Sequence, residues 1–153
     1  MQRTVRVCLA ASAGGHASEL MRLQNCWAGM DCFFVTTSAV VQRQWARFGR
    51  VYVVAESNRQ HPLKVFRTLV SCVRITLVER PAVIITTGAV VGCLMALLGK
   101  LIGARIAWID SIANTERLSL SGRLVRPFAD LVLTQWPEVA KQHKSVECVG
   151  HIL

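Results

Sequence analysis

Acidic residues are scarce in this chain. Nine aspartates and glutamates stand against eighteen lysines and arginines, a formal charge of +9 over 153 residues. That imbalance points to phosphate-bearing partners: nucleic acid, nucleotide or anionic lipid. Aromatic residues are also few, at 7%, and the arginines are scattered rather than interleaved with stacking rings, which argues against nucleic acid. The few carboxylates show no Mg²⁺-ligand spacing, so neither a metal nor a cofactor is expected. The six cysteines (Cys8, Cys26, Cys32, Cys72, Cys93 and Cys148) contain no C-x-x-C pair and no His–Cys ligand spacing. Most lie in apolar runs, as small buried hydrophobes do, which fits a reduced, cytosolic compartment. No secretory leader, internal repeat, low-complexity tract or linker is visible.

What the chain has in abundance is hydrophobic residues, 52%, with a mean hydropathy of +0.39. Such a value implies a buried parallel sheet, a membrane contact, or both. The length suffices for a single domain, residues 1–153, with a real core.

One stretch organises the chain. An apolar run, Val5 to Leu9, leads into Ala10-Ala11-Ser12-Ala13-Gly14-Gly15-His16, and a helical pattern follows with Leu20, Leu23 and Trp27 at spacings of three and four. Strand, glycine turn and helix form the opening βα unit of a doubly wound sheet. Gly14 and Gly15 let backbone N–H groups approach a ligand, and the helix N-terminus adds partial positive charge, a geometry suited to a phosphate or developing anion. The spacing is neither the G-x-G-x-x-G dinucleotide fingerprint nor the G-x-x-x-x-G-K-[ST] phosphate loop. His16 stands at the mouth of the turn, either as a base for a hydroxyl proton or as a helix-capping or solvated residue.

The α/β alternation continues. Cys32–Thr36, Val51–Val54, Pro81–Gly88, Ala104–Asp110, Ala129–Thr134 and Val146–Val149 read as strands. Helical patterns cover Ala39–Phe48, Leu63–Glu79 and Ala89–Leu101, with a short helix around Gly122–Pro127 and a last helical turn opened by Gln135-Trp136-Pro137-Glu138. Glu56 to Pro62 is a polar loop. Lys64, Arg67, Ser71 and Arg74 share one stripe of the Leu63–Glu79 helix, which is either a membrane-facing surface or a plain solvated face. No charge occurs between Pro81 and Gly99. A bilayer span is possible there, but β-branched Val83-Ile84-Ile85 and the Thr86-Thr87-Gly88 turn favour strand plus helix.

Three blocks carry a family resemblance: Ser12–Leu20; Asp110-Ser111-Ile112-Ala113-Asn114 with Leu118 to Leu124; and Ala129-Asp130 through Thr134-Gln135-Trp136-Pro137-Glu138. Together they resemble the membrane-associated subunit of two-part UDP-sugar transferases. In eukaryotes this is the anchoring subunit of the UDP-N-acetylglucosamine transferase of lipid-linked oligosaccharide synthesis; bacterial relatives serve capsule and exopolysaccharide synthesis. The resemblance implies a doubly wound, Rossmann-like parallel sheet forming the N-terminal, acceptor-side half of a GT-B glycosyltransferase. It implies a separate partner chain carrying the UDP-sugar site, a polyprenyl-diphosphate-linked sugar acceptor, and a place on the cytoplasmic face of a membrane.

The implied site comprises His16 as general base, with Glu19 orienting it. Ser12, Gly14, Gly15, Thr87 and Gly88 would line the cleft, and Asp110, Asn114 and Arg117 would contact substrate. Each has a plainer alternative: Glu19 as a first-turn acid favoured by the helix dipole, Asp110 as a solvated strand-end residue. Trp136 and Pro137 belong either to a subunit contact or to packing of the last helix. Relatives commonly carry Glu-Ser-Phe-Ala-Arg where this chain has Asp110 to Asn114, so Arg117 would have to supply the missing charge. Two other readings stay open: a non-catalytic membrane scaffold for a soluble transferase, and a stand-alone nucleotide- or phosphate-binding protein.

Overall fold

A computed structural model describes residues 5–57 and 60–152. The expected loop at Glu56–Pro62 includes positions 58 and 59, which lie outside the described residues. Seven strands form one sheet: β1 (Arg6–Ala10), β2 (Asp31–Thr36), β3 (Arg50–Val53), β4 (Val83–Thr86), β5 (Arg105–Ile109), β6 (Leu131–Thr134) and β7 (Glu147–Cys148). Their spatial order is β3-β2-β1-β4-β5-β6-β7, and every pairing is parallel. This is the doubly wound arrangement expected from the α/β alternation. Strand order reverses between β1 and β4, so the chain leaves their carboxyl ends in opposite directions and opens a crevice there.

Seven helices connect the strands: α1 (Gly15–Arg22), α2 (Gln24–Trp27), α3 (Ala39–Trp45), α4 (Pro62–Glu79), α5 (Ala89–Leu101), α6 (Leu120–Val125) and α7 (Pro137–Lys141). The single helical pattern through Leu20, Leu23 and Trp27 is broken in two at Leu23, which ends α1 and precedes α2. The same apolar spacing survives the break, because Leu20 and Trp27 both remain buried. The short sixth helix starts at Leu120, earlier than its apolar pattern suggested, because Ser119 caps it.

The sheet has apolar residues on both faces. On one, Ala17, Leu20, Val41 and Trp45 from α1 and α3 pack on Val7, Leu9 and Phe34. On the other, Cys72 and Ile75 of α4, Val91 and Met95 of α5 and Val125 of α6 pack on Cys8, Ile84, Ile106 and Trp108. The uncharged segment from Pro81 to Gly99 is therefore strand plus core helix. Helix α5 sits close to the sheet because two glycines face it: a Cβ on Gly92 would lie 2.1 Å from Thr86 Oγ1, and one on Gly99 2.1 Å from Ile84 Cδ1. Among the described residues no helix is long and apolar enough to cross a membrane. The cysteines are all free; Cys8 and Cys72 are buried as expected, whereas Cys26 and Cys148 are exposed.

At the amino end of the strands a buried acid fastens α4 to the sheet. Glu79, 2% exposed, accepts from the Tyr52 hydroxyl and from Arg50 Nη1 at 2.8 Å, while Arg6 Nη1 lies 3.0 Å from its other oxygen. Burial pushes this carboxyl up, but the Tyr52 and Arg50 hydrogen bonds and the charges of Arg6 and Arg50 outweigh it and hold it below its ordinary value. A carboxyl depressed in the folded state adds stability that is complete above its unfolded value and lost as pH falls through the folded one. Replacing Glu79 by Gln is expected to lower unfolding stability by about 1–3 kcal/mol at neutral pH. Denaturant titrations should show the gap between variant and parent closing as pH drops below about 4.

Candidate active site

The carboxyl ends of β1 and β4 carry two glycine turns into two helices. Gly14 (φ 81°) caps α1 and Gly88 (φ 120°) caps α5, and neither helix has a side-chain cap. Their first-turn N–H groups are left without a side-chain acceptor at the crevice, an arrangement that favours an anion. Ala89 follows at φ 63°, a conformation that costs a residue with a Cβ about 1–3 kcal/mol and so stores strain at this turn.

His16 bridges the two turns. Its Nδ1 lies 2.7 Å from the Thr87 carbonyl oxygen, and Thr87 Oγ1 donates back to the His16 carbonyl at 2.6 Å. A carbonyl only accepts, so Nδ1 carries a proton, and in the neutral form of the ring the lone pair is on Nε2. The side chain is 29% exposed. His16 is not a helix cap; Gly14 holds that position. Gly88 lies against the imidazole, and a Cβ there would stand 3.1 Å from His16 Cε1.

Glu19 lies in the second turn of α1, not the first, and is 0% exposed. Its Oε1 accepts from Ile112 N at 2.9 Å, Ser111 Oγ at 3.1 Å and Gln135 Nε2 at 3.2 Å. Its Oε2 is 3.9 Å from His16 Nδ1, close enough for electrostatic attraction but too far for a hydrogen bond. The dipole-facing surface acid is thus replaced by a buried anchor between α1 and the loop after β5.

Asp110 is likewise buried, 1% exposed. It accepts from Trp108 Nε1 at 3.0 Å, Ser119 N at 2.8 Å and Ser119 Oγ at 2.6 Å. It is not solvated; it ties the start of the 111–119 loop to Ser119 at its end. Ser119 Oγ also accepts from Gly122 N at 2.9 Å and so caps α6. A Cβ on Gly122 would stand 2.8 Å from Asp110 Oδ1, so the Ser-Leu-Ser-Gly block is a packing device. Asn114 and Arg117 ride on this clamped loop, the first half-buried and the second exposed. Ser12 is half-buried, Gly14 and Gly15 are exposed, and Thr87 and Gly88 are buried. The fold therefore gathers Ser12 to His16, Glu19, Thr87 and Gly88 at the reversal of strand order.

Two contributors escaped the sequence reading. Ser111 and Gln135 hold Glu19, although each was visible as a polar residue immediately after an apolar strand. Trp136 makes contacts within the chain: its Nε1 donates to Ile112 O at 2.7 Å and its ring meets His151 edge-on at 4.8 Å. Among the described residues no group of His, Cys, Asp or Glu is placed to hold a metal.

Comparison with known proteins adds a family. A model described as "Oligosaccharide biosynthesis protein Alg14 like" matches residues 33–152. The chain is 28% identical over 165 aligned positions to the UDP-N-acetylglucosamine transferase subunit alg14 of Schizosaccharomyces pombe, covering 90% of this chain and 79% of that one. It is 35% identical over 102 positions to the corresponding subunit of Yarrowia lipolytica, covering 61% and 47%. Among solved structures, MurG of Acinetobacter baumannii superposes with a TM-score of 0.76 at 16% identity, over 95% of this chain and 45% of that one. The chain thus spans less than half the length of that neighbour.

The Asp110–Ser119 clamp yields a stability prediction. Removing the hydroxyl by Ser119→Ala leaves Asp110 Oδ1 short of a donor and α6 without its cap, and is expected to cost about 1–3 kcal/mol. Thermal unfolding of the variant should show the drop, and Ser119→Thr should recover most of it.

Proposed function

The chain belongs to the Alg14-like oligosaccharide biosynthesis family, and from that membership we propose that it is the acceptor-side half of a UDP-sugar glycosyltransferase completed by a second chain. The observation that carries the reading is His16: its Nδ1 lies 2.7 Å from Thr87 O, which leaves Nε2 to take a proton, between two helix N-termini that have no side-chain cap. The partner presents the UDP-sugar, and this chain presents a polyprenyl-diphosphate-linked sugar. As the acceptor hydroxyl oxygen bonds to the anomeric carbon, the bond to UDP breaks and His16 Nε2 takes the hydroxyl proton. Backbone N–H groups after Gly14 and Gly88 stabilise phosphate charge, and Ser12, Gly15 and Thr87 shape the cleft around it. Asn114 and Arg117 reach substrate from the loop that Asp110 anchors, with Arg117 supplying positive charge.

A second chain is supported by the sheet itself. Parallel sheets are ordinarily covered on both faces. The apolar cluster beneath α1 and α3 draws on β1, β2, β3 and β4 but on no described residue of β5 to β7, and Leu131 is left 38% exposed.

The membrane reading rests on the opposite layer. Leu63, Phe66, Val70 and Leu77 of α4 are exposed, as are Leu101 of α5 and Leu124 of α6, and Lys64, Arg67 and Arg74 run beside the α4 stripe. Apolar side chains flanked by cations suit the surface of an anionic bilayer, on the side where the acceptor's polyprenyl tail resides.

Two measurements test this. With its partner chain recovered from the native cells, the His16→Ala variant is expected to lose about 100-fold or more in kcat. Full activity of that variant would leave the chain a scaffold that binds acceptor and contributes no chemical group. In sedimentation with phosphatidylglycerol-containing vesicles, Phe66→Asp should weaken binding by about tenfold or more, and added salt should weaken binding of the parent. Binding indifferent to both changes would remove α4 from the membrane contact.

A further inference from the structure

The structure assigns Gln135 as a positioning residue for His16, acting through Glu19; this deepens the reading of His16 as the base and rests on it. Gln135 follows β6 and is 0% exposed. Its Nε2 donates to Glu19 Oε1 at 3.2 Å and lies 3.4 Å from the Asp110 carbonyl oxygen, while its Oε1 accepts from Ile152 N at 2.9 Å. The amide orientation is fixed by its partners. Turned over, its oxygen would face a carboxylate and a carbonyl, and its NH₂ would face an N–H.

The consequences run along one connected set of contacts. Three donors from two separate segments converge on Glu19 Oε1: Ser111 and Ile112 from the loop after β5, and Gln135 from the end of β6. Glu19 Oε2, by contrast, has no hydrogen-bond partner among the described residues, and it lies 3.9 Å from His16 Nδ1. A buried oxygen left unpartnered is costly unless the surroundings hold it there. The convergence on Oε1 supplies that hold and points Oε2 at the imidazole. Negative charge on that side favours the tautomer with the proton on Nδ1, the one that the Thr87 carbonyl also selects and that leaves Nε2 free. Of the three donors, Gln135 is the one that also bonds to Ile152. Any shift of the 149–152 segment is thereby felt at Glu19. A packing role alone would not require an amide whose two ends are oppositely matched.

The test uses two variants and two readouts. Gln135→Met keeps the length of the side chain and removes both hydrogen-bonding ends; Gln135→Glu keeps its shape and sets an acceptor against Glu19. In the complex with the partner chain, Gln135→Met is expected to lower kcat about tenfold while the acceptor KM stays within about twofold. In a Glu19→Gln background the same change should cost less than about twofold more, because the route through the carboxylate is already lost. On the isolated chain, the ¹⁵N resonances of the His16 ring should be well separated, protonated Nδ1 from bare Nε2, and should move toward each other in both Gln135 variants and in Glu19→Gln. Unmoved ring resonances in folded Gln135 variants, or kcat losses that multiply in full across the double variant, overturn the proposal. Should His16→Ala retain full kcat, the base reading fails, yet the ¹⁵N shifts still decide whether Gln135 positions the ring.

Discussion

Two hydrogen bonds exchanged between His16 and Thr87 tie the βα unit before the reversal of strand order to the one after it. A doubly wound sheet opens a crevice at that point because its neighbouring connections diverge. Glycine removes the steric limits that hold other turns, and the bridge adds a direct tie beyond the pairing of β1 with β4. The bridge selects the imidazole tautomer and seats the ring against Gly88, where a Cβ would stand only 3.1 Å from His16 Cε1. The strained Ala89 conformation next to it persists because the surrounding contacts determine it.

The acids of this chain are few, and three of them are buried as anchors. Glu79 fastens α4 at the amino end of the sheet, whereas Glu19 and Asp110 hold the loop after β5 from both sides at the carboxyl end. Each meets several donors, as a buried carboxylate must. The surface is correspondingly left to cations and exposed apolar side chains. In a family whose relatives are named as transferase subunits, such a surface is suited to anionic partners and to burial against something other than water.

Much of the fold was legible in the order of residues. Every strand was announced by a short β-branched or apolar run, and the Pro81–Gly99 segment resolved into strand plus helix on the strength of Val83-Ile84-Ile85 and Thr86-Thr87-Gly88. The glycine turn with His16 was legible too, because strand, glycine pair and helix occur consecutively. The roles of Glu19 and Asp110 were not. A carboxylate near a helix start or a strand end reads as dipole-facing or solvated, and its burial depends on what another segment brings over it. Here Ser111, Ser119 and Gln135 arrive from 92, 9 and 116 positions away.

The sequence by itself determined the parallel α/β class, the position of the glycine turns and the basic, hydrophobic character of the surface. These follow from local propensity, spacing of apolar residues and composition, which need no knowledge of distant neighbours. Only the tertiary structure decided which groups meet. It set His16 on Thr87, 71 positions on, buried Asp110 against Ser119 and turned Ser-Leu-Ser-Gly into a clamp. It also gathered the exposed apolar side chains of α4, α5 and α6 on one side of the sheet. The physical reason is that burial and hydrogen-bond geometry are properties of pairs, and the pairs that matter here are joined by the sheet rather than by the chain.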